Sequence, residues 1–266
     1  MKSLIHNYKH IRQKNPPFNT HCSLIKRIMT AVCINMAFIQ PNLAYAIDKI
    51  YSPNIEKGEL EIEYIGNSSF DAPQEENAAT NHALEIEYGL TDRFLLELEG
   101  EIENEESEPT KFEALEFAGR YQITKRDYLI QSAFQVGYEY KPHEGDADEV
   151  VSKLYLESRT GQFLHRTNFI AAQEVGEDDE GGPELSWLWS SRYRYNKHFQ
   201  PGFEIQSNFG KTNEPLGFNE QEHFVGPSLY GAIGYGFNYE AAYLLGVSDA
   251  AADQAVRWVL EYEIEL

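Results

Sequence analysis

Cysteine is almost absent from this chain: its 266 residues include two, Cys22 and Cys33, and both lie within the first 46 positions. The rest of the chain therefore has no disulfide, no cysteine-based metal site and no thiol nucleophile. Basic residues are also scarce, with 22 Lys and Arg against 43 Asp and Glu. This acidic balance argues against a nucleic-acid partner, which requires a basic surface.

The first 46 residues lack Asp and Glu altogether. A Lys26-Arg27 pair is followed by an apolar run at 28–39 and then by Ala44-Tyr45-Ala46. A basic region, a short apolar core and a small-x-small site in this order predict a secretory signal peptide at 1–46, cleaved after Ala46. The apolar run is shorter than the ~20 residues of a membrane-spanning helix.

In residues 47–266, no long stretch has apolar residues at helical spacing. Instead, segments in which apolar and polar residues alternate occur repeatedly. In the last segment, Val256, Trp258 and Leu260 alternate with polar residues up to Leu266. Period two indicates a strand with one apolar and one polar face. We predict twelve strands, an even number as a closed bacterial barrel requires, near 59–64, 83–88, 94–103, 111–122, 128–140, 150–157, 163–175, 184–195, 201–210, 224–230, 235–247 and 255–266.

Short and long connections alternate along this chain. Short ones lie near 89–93, 123–127, 158–162, 196–200 and 231–234, and longer polar ones at 67–81, 104–110, 141–149, 176–183, 211–223 and 248–254. Short periplasmic turns and longer external loops are typical of outer-membrane barrels. We therefore predict an all-β, membrane-spanning, antiparallel up-and-down barrel that forms one domain at 47–266, in the cell outer membrane. A soluble periplasmic β-protein that binds an apolar ligand is an alternative.

Three short stretches resemble one family of bacterial outer-membrane proteins. Residues 88–93 (YGLTDR), 223–227 (HFVGP) and 258–263 (WVLEYE) are similar to stretches of the porin-like barrels of the MetA pathway of phenol degradation. The resemblance implies a barrel that passes small solutes, including hydrophobic ones. Such barrels usually end on Phe or Trp, the residue that the barrel-assembly machinery reads in the C-terminal strand, whereas this sequence ends on Leu266.

The polar strand faces predict a charged barrel interior. The acidic candidates for its lining are Glu59, Glu61, Glu63, Glu85, Glu87, Glu97, Glu99, Glu101, Glu103 and Glu116, and the basic candidates are Arg120, Lys153, Arg166, Arg192 and Arg194. An acidic wall on one side and a basic wall on the other would produce an electric field across the barrel interior. Because acidic linings favour cations, we predict passive diffusion of small solutes through a cation-preferring interior. The alternative is a closed, non-conducting barrel filled with ion pairs, with a structural or adhesive role.

Catalytic and cofactor signals are weak. Carboxylates at 177–180 and 146–149 suit Ca²⁺ or Mg²⁺, yet their spacing matches no calcium loop, so we predict neither metal nor cofactor. No Gly-x-Ser-x-Gly motif occurs. His165 is predicted to lie on a strand, but Asn168 is three residues on and hence on the opposite face. The sequence therefore predicts a protein that is not an enzyme and whose partners are outer-membrane lipid, the assembly machinery and small solutes.

Overall fold

The structure, a computed structural model, describes residues 47–70, 80–104, 110–143, 145–176, 179 and 181–266. The predicted signal peptide and its cleavage site at Ala44 and Ala46 lie outside the described residues. A short 3-10 helix occurs at Phe218–Glu220. The strands are β1 (Glu59–Phe70), β2 (Thr80–Thr91), β3 (Phe94–Asn104), β4 (Lys111–Gln122), β5 (Ile130–Tyr140), β6 (Asp148–Thr160), β7 (Phe163–Val175), β8 (Glu184–Tyr193), β9 (Gln200–Lys211), β10 (Glu222–Gly234), β11 (Phe237–Gly246) and β12 (Gln254–Glu265).

Each strand pairs antiparallel with its sequence neighbours, and β1 pairs with β12, so the sheet closes on itself. The closing register joins Glu59 to Glu265 at one end and Phe70 to Gln254 at the other. Closure satisfies the backbone groups of both edge strands, which an open sheet would leave unpaired. The predicted all-β, antiparallel up-and-down barrel of twelve strands is confirmed.

The connections divide between two ends of the barrel. The turn end carries the connections 92–93, 123–129, 161–162, 194–199 and 235–236, three of which are only two residues long. The loop end carries those that begin after β1, β3, β5, β7, β9 and β11, which are six to ten residues long. Tyr235 and Gly236 both have positive φ, 56° and 84°. Two central residues with positive φ form the tight hairpin turn that matches the twist of the flanking strands. The predicted alternation of turns and loops is thus confirmed.

Strand β1 extends beyond the alternating segment that the sequence indicates. Its last residues pair with both β2 and β12 as far as Ser68. Gly66 interrupts the apolar face there, and the indole ring of Trp258, its partner on β12, lies directly over it. Cross-strand packing therefore supplies the apolar cover that the local sequence lacks.

The outer face of the barrel is apolar. Because side chains alternate between the two faces of a strand, every second residue points away from the interior. The exposed outer side chains include Leu84, Ile86, Leu98, Phe117, Tyr121, Phe134, Val136, Tyr138, Phe169, Phe203, Tyr243 and Leu260. The buried residues lie inside the barrel, where charged groups are mixed with small apolar clusters. Among the described residues, no helix has the length and apolar character needed to cross a membrane.

Candidate functional site: the charged interior of the barrel

A continuous row of glutamates crosses the interior of the barrel. Each member lies directly opposite the next on the neighbouring strand. The members, here called the glutamate row, are Glu261, Glu63, Glu85, Glu99, Glu116, Glu139, Glu149 and Glu174. Since the strands of a barrel are tilted, a row that follows their pairing winds along the barrel. It begins near the turn end, at Glu261 of β12, and reaches the loop end at Glu174 of β7.

Directly opposed like charges destabilise a sheet, so the row depends on cations that lie close to it. Lys153 Nζ is 3.1 Å from Glu116, and Lys141 Nζ is 2.6 Å from Glu149. At the loop end, Lys211 Nζ is 2.7 Å from Glu174. These pairs lie along the half of the row nearer the loop end.

A shorter second row, Glu263, Glu61, Glu87 and Glu97, runs beside the first on the turn-end side. Arg120 of β4 contacts two of its members, with one guanidinium nitrogen 2.5 Å from Glu87 and 2.7 Å from Glu97. The Arg120 Nε group donates to Gln135, whose amide donates in turn to Glu97 at 2.8 Å. Arg120 is thus held in one geometry by groups from three other strands.

The opposite wall contains a second buried ion-pair network. Arg257 is fully buried and lies 2.6 Å from Glu204 and 3.1 Å from Glu240. The hydroxyl of Tyr230 also donates to Glu204, at 2.5 Å. The Arg192 guanidinium lies over the Tyr230 ring, 4.9 Å from its centroid. Acidic and basic groups are therefore mixed on this side, and the walls are less polarised than the sequence indicates.

The acidic residues predicted to line the interior all lie on the inner face of β1–β4. Among the basic candidates, Arg120 and Lys153 are buried and Arg166 donates to Glu157 at 3.0 Å. Arg194 differs from its predicted position: it is exposed in the turn after β8 and donates to the Gly161 carbonyl at 3.0 Å. The strand ends earlier than predicted because the Asn196 side chain accepts a hydrogen bond from the His198 backbone and forms a turn.

Sequence reasoning missed several interior charges, including Glu139, Glu149, Glu157, Glu174, Glu204, Glu240, Arg257 and Glu261. The sequence does contain a signal for two of them, because the alternation in the last strand puts Arg257 and Glu261 on its polar face. Of the acidic stretch at 177–180, Asp179 alone is described, and it accepts a hydrogen bond from Gly181 N at 2.6 Å.

An extended segment before β1 occupies the interior. This segment, residues 47–57, is here called the strap. Ile47 packs against Phe224, Leu244 and Ala252 near the loop end, whereas Glu56 forms an ion pair with Arg126 in a connection at the turn end. Eleven extended residues span at most about 36 Å, enough to pass through a barrel whose apolar band is ~25 Å tall.

Side chains of the wall satisfy the backbone of the strap. Asn168 of β7 accepts a hydrogen bond from Tyr51 N at 2.7 Å, and its amide donates to Tyr51 O at 3.1 Å. Gln206 of β9 binds both backbone groups of Asp48 in the same way, at 3.1 Å each. Buried backbone groups require such partners. The amides therefore fix the depth at which the strap lies.

The turn end holds the strap by close backbone contact. Gly58 N donates to Gly89 O at 2.7 Å, and a methyl group added at Gly89 would overlap the Glu56 carbonyl oxygen. Arg126 also donates to the Ile55 carbonyl at 2.6 Å. Gly89 on β2 is therefore a position where a side chain would displace the strap.

Cationic groups surround Tyr51 at the centre of the strap. Lys49 Nζ lies 4.7 Å from the ring centroid, the guanidinium carbon of Arg120 lies 5.3 Å from it, and Lys153 Nζ lies 5.4 Å from it. The Tyr51 hydroxyl donates to Glu85 at 2.7 Å. Cations near an aromatic face are stabilised by the quadrupole of the ring. Tyr51 thus connects the strap to both the basic and the acidic groups of the wall.

Small and large cavities border the strap. Beside Ile47 and Asp48 a cavity of about 20 Å³ remains, the space of a single water. At the turn end, Glu56, Arg93, Lys125 and Arg126 help to line a polar cavity of about 530 Å³ that opens to solvent. The cavity beside Ile47 therefore has room for about one water, whereas a larger polar vestibule lies at the turn end.

Solved structures with a similar fold are outer-membrane barrels. A KdgM porin aligns with 76% of this chain and 98% of its own at a TM-score of 0.54 and 11% identity. A COG4313 outer membrane channel from Pseudomonas putida F1 aligns with 85% of this chain and 100% of its own, with a TM-score of 0.58 and 9% identity. A NanC porin aligns with 77% of this chain and 100% of its own, with a TM-score of 0.53 and 10% identity.

No protein-family model and no curated protein matches this sequence. At identities of 9–11%, the structural likenesses show a shared fold. The resemblance to the MetA-pathway family stays a prediction.

Proposed function

We propose that this chain is an outer-membrane barrel through which small cationic solutes diffuse passively, and that it is not an enzyme. The observation that carries the proposal is the glutamate row, which runs through the interior from the turn end to the loop end. Acidic linings favour cations over anions. The fold shared with porins supports the same class of function.

The apolar outer face supports placement in a bilayer. Exposed side chains such as Phe117, Phe134 and Leu260 would contact lipid, whereas the charged groups face the interior. In this placement the turn end lies in the periplasm and the loops face outward. The assembly machinery would bind the C-terminal strand, β12. A soluble protein that binds an apolar ligand is not favoured, because the apolar face is outside and the interior is polar.

The charge of the interior argues for a different solute class from that of one structural relative. A KdgM porin has been solved in complex with disordered oligogalacturonate, a polyanion. In this chain the carboxylates of Glu63, Glu85 and Glu99 are buried side by side on the inner wall. A polyanion would meet repulsion from them, whereas cations would be attracted.

The strap favours a second candidate function, a closed barrel. Ile50 and Tyr51 are buried at the centre of the interior, and wall amides hold the backbone beside them. Solutes larger than an ion would require the strap to move. In the first candidate the strap acts as a gate, and in the second it seals a barrel with a structural or adhesive role.

Single-channel recording in a planar bilayer under a KCl gradient tests the proposal. We expect a reversal potential that favours K⁺, and a smaller preference in the variant Glu99→Gln/Glu101→Gln. These two carboxylates suit the test because no described Lys or Arg forms an ion pair with them, so the substitutions break no ion pair. Glu214→Gln removes the same type of charge from an exposed loop and should leave selectivity unchanged.

Three outcomes separate the candidates. Cation-selective steps that lose selectivity in the double variant support the passage. Conductance with unchanged selectivity contradicts the assignment of the cation pathway to the glutamate row. A folded barrel that stays silent both with its native strap and after the strap has been loosened by Gly89→Ala supports the closed barrel.

A further inference from the structure

We propose that linear polyamines bind along the glutamate row and replace the ammonium group of Lys49. This inference rests on the proposed cation passage and names its substrate class. The place in question is the segment of the row from Glu63 through Glu85 and Glu99 to Glu116, on neighbouring strands β1–β4. Three observations support the proposal. Several buried carboxylate oxygens of the row lack a hydrogen-bond donor, the row already binds the ammonium group of Lys49, and successive carboxylates lie at an interval that suits a polyamine.

The row has more hydrogen-bond acceptors than the described residues satisfy. Glu63, Glu85 and Glu116 are buried, with at most 4% of their surface exposed. In each, the Oε1 atom receives no hydrogen bond from any described amine, amide or alcohol. A buried carboxylate oxygen without a donor is costly. The row therefore offers binding energy to a ligand that brings several N–H donors.

Lys49 shows what kind of group this part of the row accepts. Its ammonium, carried on a flexible aliphatic stem, forms an ion pair with Glu63 and lies 3.8 Å from Glu85 Oε1. The ring of Tyr51 lies beside the same ammonium. Because Lys49 belongs to the strap and not to the wall, it leaves this place if the strap moves. A primary alkylammonium from solution would then find the same carboxylates.

The spacing of the row favours a chain of ammonium groups over a single one. Neighbouring strands lie about 4.8 Å apart, so successive carboxylates of the row repeat at a similar interval. A methylene spacer of three or four carbons, as in spermidine, separates ammonium groups by a comparable distance. Ala133 and Tyr155 pack against Tyr51 of the strap, and their apolar surfaces would be open to methylene segments once the strap moves.

A divalent metal ion fits the same residues less well. Carboxylate oxygens of Glu61, Glu63 and Glu261 approach within 4.8 Å of one another, as do those of Glu85, Glu87 and Glu97. However, Lys49 already pairs with Glu63, and Arg120 contacts both Glu87 and Glu97. An ammonium ligand would exchange one of these cations for another of the same type. A metal ion would instead have to gather oxygen ligands that are already bound to Arg120 or Lys49.

Equilibrium binding of spermidine to the detergent-folded full chain tests this inference without requiring conduction. Titration calorimetry should give tighter binding for spermidine than for butylamine or MgCl₂ at matched ionic strength. Glu63→Gln/Glu85→Gln should weaken spermidine binding about tenfold or more, because charged hydrogen bonds are lost. Lys49→Met should strengthen it, since the competing ammonium is removed. Lys197→Met, which removes an exposed positive charge from a turn, should leave the affinity unchanged.

The results separate this inference from the proposed function. A barrel that conducts K⁺ selectively but binds spermidine no better than butylamine overturns the inference alone. Equal or tighter binding of Mg²⁺ points to a metal site and overturns it as well. If Lys49→Met does not fold, as judged by heat-modifiable gel migration, the inference still fails when Glu63→Gln/Glu85→Gln and Glu214→Gln bind spermidine equally. A barrel that binds spermidine at the row but never conducts contradicts the passage and leaves the binding site standing.

Discussion

Lys49 and Glu63 form a buried ion pair inside the barrel, although Lys49 precedes the first strand and Glu63 belongs to it. The pair brings the strap into contact with the wall within a short stretch of chain. It also neutralises one member of the glutamate row, while Glu85 on the next strand shares the same ammonium at 3.8 Å. The strap therefore supplies a charge that the strands themselves lack at this point.

Removal of this ammonium should destabilise the folded barrel. In Lys49→Met the carboxylates of Glu63 and Glu85 lose their nearest cation, and breaking a buried pair costs about 3–5 kcal/mol. We expect a lower unfolding midpoint in a denaturant titration followed by tryptophan fluorescence. Lys57→Met, at an exposed position just after the buried part of the strap, serves as control and should unfold like the native protein. Equal midpoints for the two variants would contradict a stabilising role of the pair.

Loss of the wall amide at Asn168 should release the centre of the strap. Asn168→Ala removes both hydrogen bonds to the Tyr51 backbone, and unsatisfied buried groups cost about 1–3 kcal/mol each. Hydrogen exchange followed by mass spectrometry should show faster exchange in the peptide that contains Tyr51. Gln162→Ala, in an exposed turn, should not change it. Unchanged protection in Asn168→Ala would mean that the amide does not hold the strap.

A side chain at Gly89 should displace the turn end of the strap. In Gly89→Ala the new methyl group meets the Glu56 carbonyl, and overpacking of this kind costs about 1–3 kcal/mol. We expect lower thermal stability and more frequent channel openings. Gly100→Ala on the neighbouring strand is the matched control, because its nearest contact would be an ordinary 3.7 Å from Phe112. The interpretation fails if both variants behave alike.

Acid should weaken the anchor between Glu56 and Arg126. The hydrogen bond from Arg126 holds the pKa of the Glu56 carboxyl below its ordinary value of 4.5. A carboxyl with a lowered pKa in the folded state stabilises the fold above its unfolded-state pKa, and this contribution disappears as the pH falls through the folded-state value. We therefore expect the stability difference between the native protein and Glu56→Gln to shrink from pH 7 towards pH 3. A difference that does not depend on pH would exclude this linkage.

Period-two alternation made most of the barrel predictable. The pattern around Phe94, Leu96 and Leu98 marks both the strand and its outward face, and β7 has the bounds that the sequence indicates, Phe163–Val175. Where the alternation is weak, the prediction stopped early. Strand β1 continues to Phe70 instead of ending at 64, and β10 spans Glu222–Gly234 instead of the predicted 224–230, because backbone partners on neighbouring strands hold residues that show no local pattern.

The strap could not be predicted in the same way. Residues 47–57 have neither strand nor helix periodicity, and their backbone partners, such as Asn168 and Gln206, lie more than a hundred positions away. Nothing local in an isolated amide indicates that it will bind a distant backbone. The exposed position of Arg194 was missed for a related reason, since the side chain of Asn196 ends the strand by forming a turn.

The sequence by itself determined the number of strands, the apolar outer face and the acidic inner one, since alternation within a strand depends only on neighbours along the chain. The tertiary structure alone decided that glutamates from Glu261 to Glu174 line up across eight strands and that Arg257 lies between Glu204 and Glu240. It also decided that the strap lies inside the barrel, bound to Asn168 and Gln206. The physical reason is register. Which charges face each other depends on how strands pair and how the sheet closes, and those relations join residues far apart in the chain.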